Sequence, residues 1–267
     1  MDLREACLAC LQRGPTALFE ATLWIAAEHD PHLRPSQALI ELEHLRHRVA
    51  ISLPDLPARE LAQPLLRQLC AMDYREDESH PASPNGALMH HVMRQRRGQP
   101  LALALLALEI ARGLDIPLLA IDFPTRLLLR VPGADHLLDP ASGRRLYGRD
   151  CRELLSRQFG ADNPLQAGHL RPCDAHGLLQ RLSRELRELH LLAGAPLAAL
   201  KDAERVLLLG PPSIADHLAR ADIYQQLDCP EGARYDLQRA LLLCDEPIER
   251  LRLGQRLGRI KPVAPVH

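Results

Sequence analysis

The chain has 267 residues, 46% of them hydrophobic and 25% charged, with a formal net charge of −1. That length supports one large core or two smaller ones, and the even charge balance excludes the broad field of a nucleic-acid or anionic-membrane binder. Aromatic residues make up only 3%, so Leu, Ala, Val and Ile must fill the interior, and no apolar stretch reaches the roughly 18–20 residues that span a bilayer.

The opening segment, Met1-Asp2-Leu3-Arg4-Glu5-Ala6, carries acids early and lacks the apolar core of a signal peptide. Seven cysteines, scattered and odd in number, fit a reducing compartment rather than a disulfide framework. A cytoplasmic protein is therefore expected. Cys7 and Cys10 have CxxC spacing, but no second such pair or paired-His motif completes a tetrahedral metal site. They read as ordinary helix residues.

The first seventy-odd residues read as helices. Pro15 can start one that runs through Leu18, Leu23, Trp24 and Ile25, since proline's missing N–H costs nothing in a first turn. Pro35 and Ser36 open another, with Leu39, Ile40, Leu42, Leu45 and Val49 on one face. A third runs from about Pro57 to Met72 with Leu61, Leu65, Leu66 and Leu69. Glu43 and His47, four apart, read as a solvated face. Residues 74–86 are polar and rich in breakers, a loop. In it Ser83 and Asn85 read as caps for a helix over 87–96. His90 and His91 are neighbours around that helix rather than along one face, so a shared metal is not expected. No metal site and no cofactor is expected elsewhere.

A turn at Gly98-Gln99-Pro100 leads into a buried helix, Leu101 to Leu114. Short apolar runs follow at Leu118–Asp122 and Leu127–Val131, then a turn, then a third candidate strand at His136–Pro140. Helices followed by small strands predict an α+β fold with a modest antiparallel sheet covered on one face. From about Leu178 the chain is helical again and repeats itself. Residues 199–209 lie 34 before residues 233–243 with six of eleven pairs identical, and Pro196 lies 34 before Pro230. That period of paired helices is the tetratricopeptide spacing. Ala221, Tyr224, Ala233, Leu237 and Ala240 fall at its small and bulky packing positions; Arg187 and His190 make the first unit a weaker match. A last helix, Pro247 to Ile260, would cap the array. The domains expected are 1–170, with a helical lead-in, and 171–267.

Five blocks carry a resemblance: Asn85-Gly86-Ala87-Leu88, Arg96-Arg97-Gly98-Gln99-Pro100, Arg112-Gly113-Leu114-Asp115-Ile116-Pro117-Leu118, Phe123-Pro124-Thr125-Arg126 and Leu138-Asp139-Pro140-Ala141-Ser142-Gly143. In this order and spacing the chain resembles the SirB-type family of bacterial proteins, which join a transglutaminase-like (papain-like) domain to tetratricopeptide repeats. The resemblance implies a Cys-His-Asp site, with the cysteine opening a helix whose free N–H groups and dipole acidify the thiol. Carried onto this chain, the cysteine position is Pro100, the histidine position is Arg126, and the acid survives at Asp139. Proline has no nucleophile, and an arginine stays protonated and cannot act as the base.

The reading is a non-catalytic interaction or adaptor protein, a pseudoenzyme in which the repeats or the former cleft bind a protein or peptide. Arg97, Arg126 and Asp139 are the cleft residues proposed for binding. A small anionic ligand is a further candidate if Arg94, Arg96, Arg97, Arg126, Arg144 and Arg145 converge. The alternative is a cryptic hydrolase or acyl transferase using a displaced cysteine, for which Cys151 near a helix start is the candidate. His136, three residues before Asp139 in one strand, points to the opposite face and is a poor replacement base. Neither nucleic acid nor membrane is expected as a partner.

Overall fold

Helix α1 (Leu3–Gln12) starts where the Asp2 side chain accepts a hydrogen bond from the Arg4 N–H, and it buries Ala6, Cys7, Cys10 and Leu11. A 3-10 turn at Pro15–Ala17 leads into α2 (Leu18–Ala27), and α3 (Pro35–Ser52) opens on the expected proline. Ala38, Leu42, Leu45 and Val49 form the buried stripe of α3. Ile40, assigned to that stripe from sequence, is more than half exposed; it lies off the row set by Ala38, Leu42 and Leu45. The third helix divides into a 3-10 turn, Ala58–Glu60, and α4 (Ala62–Ala71), which buries Leu65, Leu66 and Leu69. This computed structural model describes residues 2–79, 82–160 and 162–260. The chain divides into two compact units, 1–178 and 179–267.

The region read as a plain loop contains a strand. β1 (Arg75–Glu76) pairs in parallel with β2 (Arg97–Gly98), the Arg75 N–H donating to the Arg96 carbonyl at 3.0 Å. Between them, Ser83 caps a 3-10 turn at Pro84–Gly86 by accepting from the Asn85 N–H. Ser83 and Asn85 therefore do not cap the next helix. That helix, α5 (Met89–Gln95), follows Leu88 without a side-chain cap and ends at Arg96 with φ +58°. Gly98 is required by close approach, because a Cβ there would lie 2.9 Å from Val92 Cγ1.

α6 (Pro100–Gly113) has Pro100 in its first turn and buries Leu101 through Ala107, Ile110 and Ala111. A helix buried nearly all round belongs in a core, and α6 packs against α2, α4, α5, β3 (Leu119–Asp122) and β4 (Leu127–Arg130). β5 (Leu137–Leu138) and β6 (Arg145–Leu146) complete an antiparallel sheet in the order β3-β4-β5-β6. One face carries Ile121, Leu128, Leu137 and Leu146 against Cys151 and Leu155 of α7 (Gly148–Phe159). On the other face Ala120, Leu127, Leu129 and Leu138 are buried as well. The sheet is therefore covered on both faces, where the sequence reading expected one. Three consecutive leucines at 127–129 are the sign, since a half-solvated strand would alternate. The α+β class stands.

The second unit begins within α8 (Ala175–Leu192) and continues with α9 (Pro196–Leu209), α10 (Ile214–Gln226), α11 (Pro230–Leu243) and α12 (Pro247–Arg259). Both ends of α11 lie 34 residues beyond those of α9. Ala221, Leu237, Ala240, Cys244 and Leu253 form one core of this unit, and Ala199, Ala203 and Ile223 another. The alanines allow close helix approach. Tyr224 closes over Gly232, where a Cβ would meet the ring at 2.7 Å. Two buried aspartates occupy equivalent places in the period. Asp202 accepts from Arg205 and lies 2.7 Å from His190 Nδ1; Asp236 accepts from Arg220 and lies 2.8 Å from His217 Nδ1.

Candidate functional site

Arg126 immediately precedes β4 and Asp139 immediately follows β5, so antiparallel pairing of these strands brings them together. The Arg126 guanidinium donates to Asp139 Oδ1 at 3.3 Å, and the Ser142 hydroxyl donates to Oδ2. The turn holding the carboxylate is tight: the Gly143 N–H donates to the Asp139 carbonyl at 2.8 Å. Gly143 has φ +67°, and a Cβ there would stand 3.1 Å from Leu66 Cβ of α4. Gln63 of α4 donates to the Gly143 carbonyl at 2.9 Å. The motif Leu138–Gly143 is thus a clamp that fixes the acid against the helical layer.

Around this pair lies a cavity of about 290 Å³ lined by Arg126, Asp139, Ser142, Arg144, Leu146, Asp150, Glu153, Leu154 and Arg157. Every guanidinium in that lining already faces a carboxylate. Arg144 donates to Asp150 at 2.8 Å and Arg157 to Glu153 at 2.6 Å, beside the Arg126–Asp139 pair. A backbone N–H from Tyr147, followed by the Arg144 guanidinium, holds the Asp150 carboxyl below its ordinary range, so that acid remains ionised and bound. An incoming carboxylate would have to displace a resident one.

Pro100, at the first turn of α6, is half-buried and is not part of this lining. Arg97 does not join the cleft. Its guanidinium donates to Asp73 Oδ2 at 2.9 Å and to the Asp73 and Arg96 carbonyls, and it lines a separate cavity with Arg75, Glu76, Asp77, Glu78 and Ser79. The β1–β2 pairing turns it that way. The six arginines near this region in sequence therefore do not converge: Arg94 lies 3.9 Å from Glu41, and Arg96 donates to the Met72 carbonyl.

Cys151 lies in the first turns of α7, as expected, yet it is buried among the core residues of the sheet. Burial pushes its thiol pKa up, and the neighbouring Asp150 pushes it further. A nucleophile needs the opposite shift. His136 has Nδ1 2.9 Å from Asp135 and its ring beside Tyr147, so the carboxylate it meets is Asp135. Cys7 and Cys10 are buried in α1, and burial likewise raises the Cys10 thiol.

The sequence set aside His90 and His91 as a metal pair and gave no sign of the third donor beside them. Asp30, in the turn between α2 and α3, faces His90 and His91 at the start of α5, and donor atoms of the three lie within 4.8 Å of one another. The packing of α2 against α5 makes this contact. No local spacing could have revealed it.

Residues 36–184 match the transglutaminase-like superfamily. The chain is 58% identical to the UPF0162 protein PA3419 of Pseudomonas aeruginosa over 98% of its own length and 97% of that protein's. It is 30% identical to a UPF0162 protein of Xylella fastidiosa over 88% and 87% of the two chains. It is 28% identical to Protein SirB1 of Salmonella typhimurium over 61% and 62%. No helix among the described residues is long and apolar enough to cross a membrane.

Proposed function

The chain belongs to the transglutaminase-like superfamily, and we propose that it is a non-catalytic member, an interaction protein built on that scaffold. The observation that carries the proposal is the engagement of Asp139 by Arg126. In a Cys-His-Asp site the acid orients an imidazole, and the imidazole takes the proton of the thiol. Here the acid orients a guanidinium that holds its protons at any ordinary pH. Pro100 supplies no nucleophile at the helix start. The alternative, acyl transfer by a displaced cysteine, loses its candidate because Cys151 is a core residue with a raised pKa.

Partner binding is assigned to the helices of residues 179–260, read as a tetratricopeptide-type pair with a capping helix. Leu242 is 73% exposed and Leu251 64%, with Tyr235, Leu243 and Ile248 also exposed in the same two helices. These exposed apolar side chains on the last two helices are the surface assigned to the partner. The cleft is the weaker candidate, since each cation in its lining is already paired.

Affinity capture from the native host, with the wild-type chain and Leu242→Glu/Leu251→Glu in parallel, tests this reading. A stoichiometric partner held by wild type and released from the variant is the expected result. Equal recovery by both chains, or no partner at all, would remove the interaction surface. Thiol-directed activity-based labelling that vanishes in Cys151→Ala would overturn the non-catalytic assignment.

A further inference from the structure

We propose that Asp30, His90 and His91 form a binding site for one divalent transition-metal ion of the zinc class. Three features of the grouping carry this. The first is donor chemistry: two imidazoles and a carboxylate are a recurrent three-ligand set for Zn²⁺, with a fourth position left for water or substrate.

The second is geometry. Two donors bound at about 2.0–2.2 Å to one tetrahedral ion are separated by about 3.4 Å and point at the ion rather than at each other. His90 Nε2 lies 3.2 Å from Asp30 Oδ2, yet the two do not form a hydrogen bond. That is a short contact without hydrogen-bond geometry, at a spacing that fits two ligands of one ion. Donor atoms of the three residues fall within 4.8 Å of one another.

The third is an unmet requirement. His90 is 1% exposed, and both of its ring nitrogens are buried without a hydrogen-bond partner. Buried polar atoms left in that state are costly and rare. A cation accepting the lone pair of one nitrogen would satisfy the group. The surroundings are prepared for it. The Asp30 Oδ1 accepts from the His32 N–H at 2.9 Å, which orients the carboxylate and leaves Oδ2 for the ion. Asp30 and His91 are partly exposed, which gives the ion a path in from solvent.

The site lies on elements of the first unit alone and joins the α2–α3 turn to the start of α5. It does not involve Arg126 or Asp139, so it is independent of the non-catalytic reading of the cleft.

Titration of the chelator-treated, full-length chain with Zn²⁺ by calorimetry, and with Co²⁺ by absorption, tests the site. One equivalent should bind, and Co²⁺ should show the visible bands of a low-symmetry nitrogen–oxygen site without thiolate charge transfer. Asp30→Asn and His91→Ala, both at partly exposed positions, should each weaken Zn²⁺ binding at least about tenfold while far-UV circular dichroism stays unchanged. Absence of stoichiometric binding, binding undiminished in both variants, or a cobalt spectrum dominated by thiolate ligation would each overturn the proposal.

Discussion

Arg126–Asp139 in the first unit and Arg220–Asp236 in the second are the same chemical pair in two different settings. The first sits at a cavity rim, its partners 34% and 14% exposed, with a serine hydroxyl on the free carboxylate oxygen. The second is sealed: Asp236 is fully buried, and His217 and a two-pronged Arg220 saturate it. Water screens the first pair and leaves it worth at most about 1 kcal/mol. The second has no water to fall back on, so each partner depends on the others. The acid at the cavity rim therefore sits in a setting that contributes little to stability. The charges that hold structure lie in the helical unit, where Asp202, 34 residues earlier, also meets a histidine and an arginine, His190 and Arg205, from other positions in the period.

The largest expected effect separates the two settings directly. Asp236→Ala leaves Arg220 and His217 facing an apolar core and should destabilise the second unit by about 3–5 kcal/mol. Denaturant unfolding of the full chain, followed by helical signal, reads the loss; a change under 1 kcal/mol would erase the distinction. A pH scan gives the next. Burial works against ionisation of Asp216, but hydrogen bonds from Arg184 and Ser213 outweigh it and hold the pKa at about 2. The folded value lies below the unfolded one, so the stability is present above pH ~4 and is lost as pH falls through about 2. Roughly 2 kcal/mol should disappear across that window. Asp216→Asn should flatten that part of the profile, and an unaltered slope in the variant would place the acid sensitivity elsewhere.

How much of this was readable in sequence follows the same division between local and distant causes. α3, α6 and the matched pair α9 and α11 were legible because apolar spacing and a leading proline are local signals. Strands β1, β2 and β6 were not. Each is two residues long and includes charged side chains such as Arg75, Glu76, Arg97 and Arg145, and only backbone pairing defines them. The order of the motif blocks singled out Arg126 and Asp139, which the strand pairing brings to 3.3 Å of each other. Arg97 was assigned to their cleft because it is near in sequence to Gly98, whereas Asp73 at the end of α4 claims its guanidinium. Asp30 gave no signal, because its meeting with His90 depends wholly on how two helices pack.

Gly143→Ala probes the clamp rather than the charge. A side chain at φ +67°, 3.1 Å from Leu66 Cβ, combines backbone strain with a tight contact. The expected cost is about 1–3 kcal/mol. Thermal unfolding measures it, and a neutral result would show that the turn can shift away from α4.

The smallest effect is the most informative about the cleft. Asp139→Asn removes the charge that faces Arg126 and keeps one acceptor oxygen for it, while the amide NH2 replaces the oxygen that accepted from Ser142, whose hydroxyl can turn to accept instead. Because the guanidinium is one-third exposed, water can take over its solvation, and the predicted cost stays below about 1 kcal/mol. The double variant Arg126→Gln/Asp139→Asn should then cost no more than the single one, since removing the second charge also removes the unpaired group left by the first. A coupling energy of several kcal/mol in that cycle would mean that the rim pair is as interdependent as Arg220–Asp236. Asp139 would then be held in place by the stability it gives the sheet and its clamp.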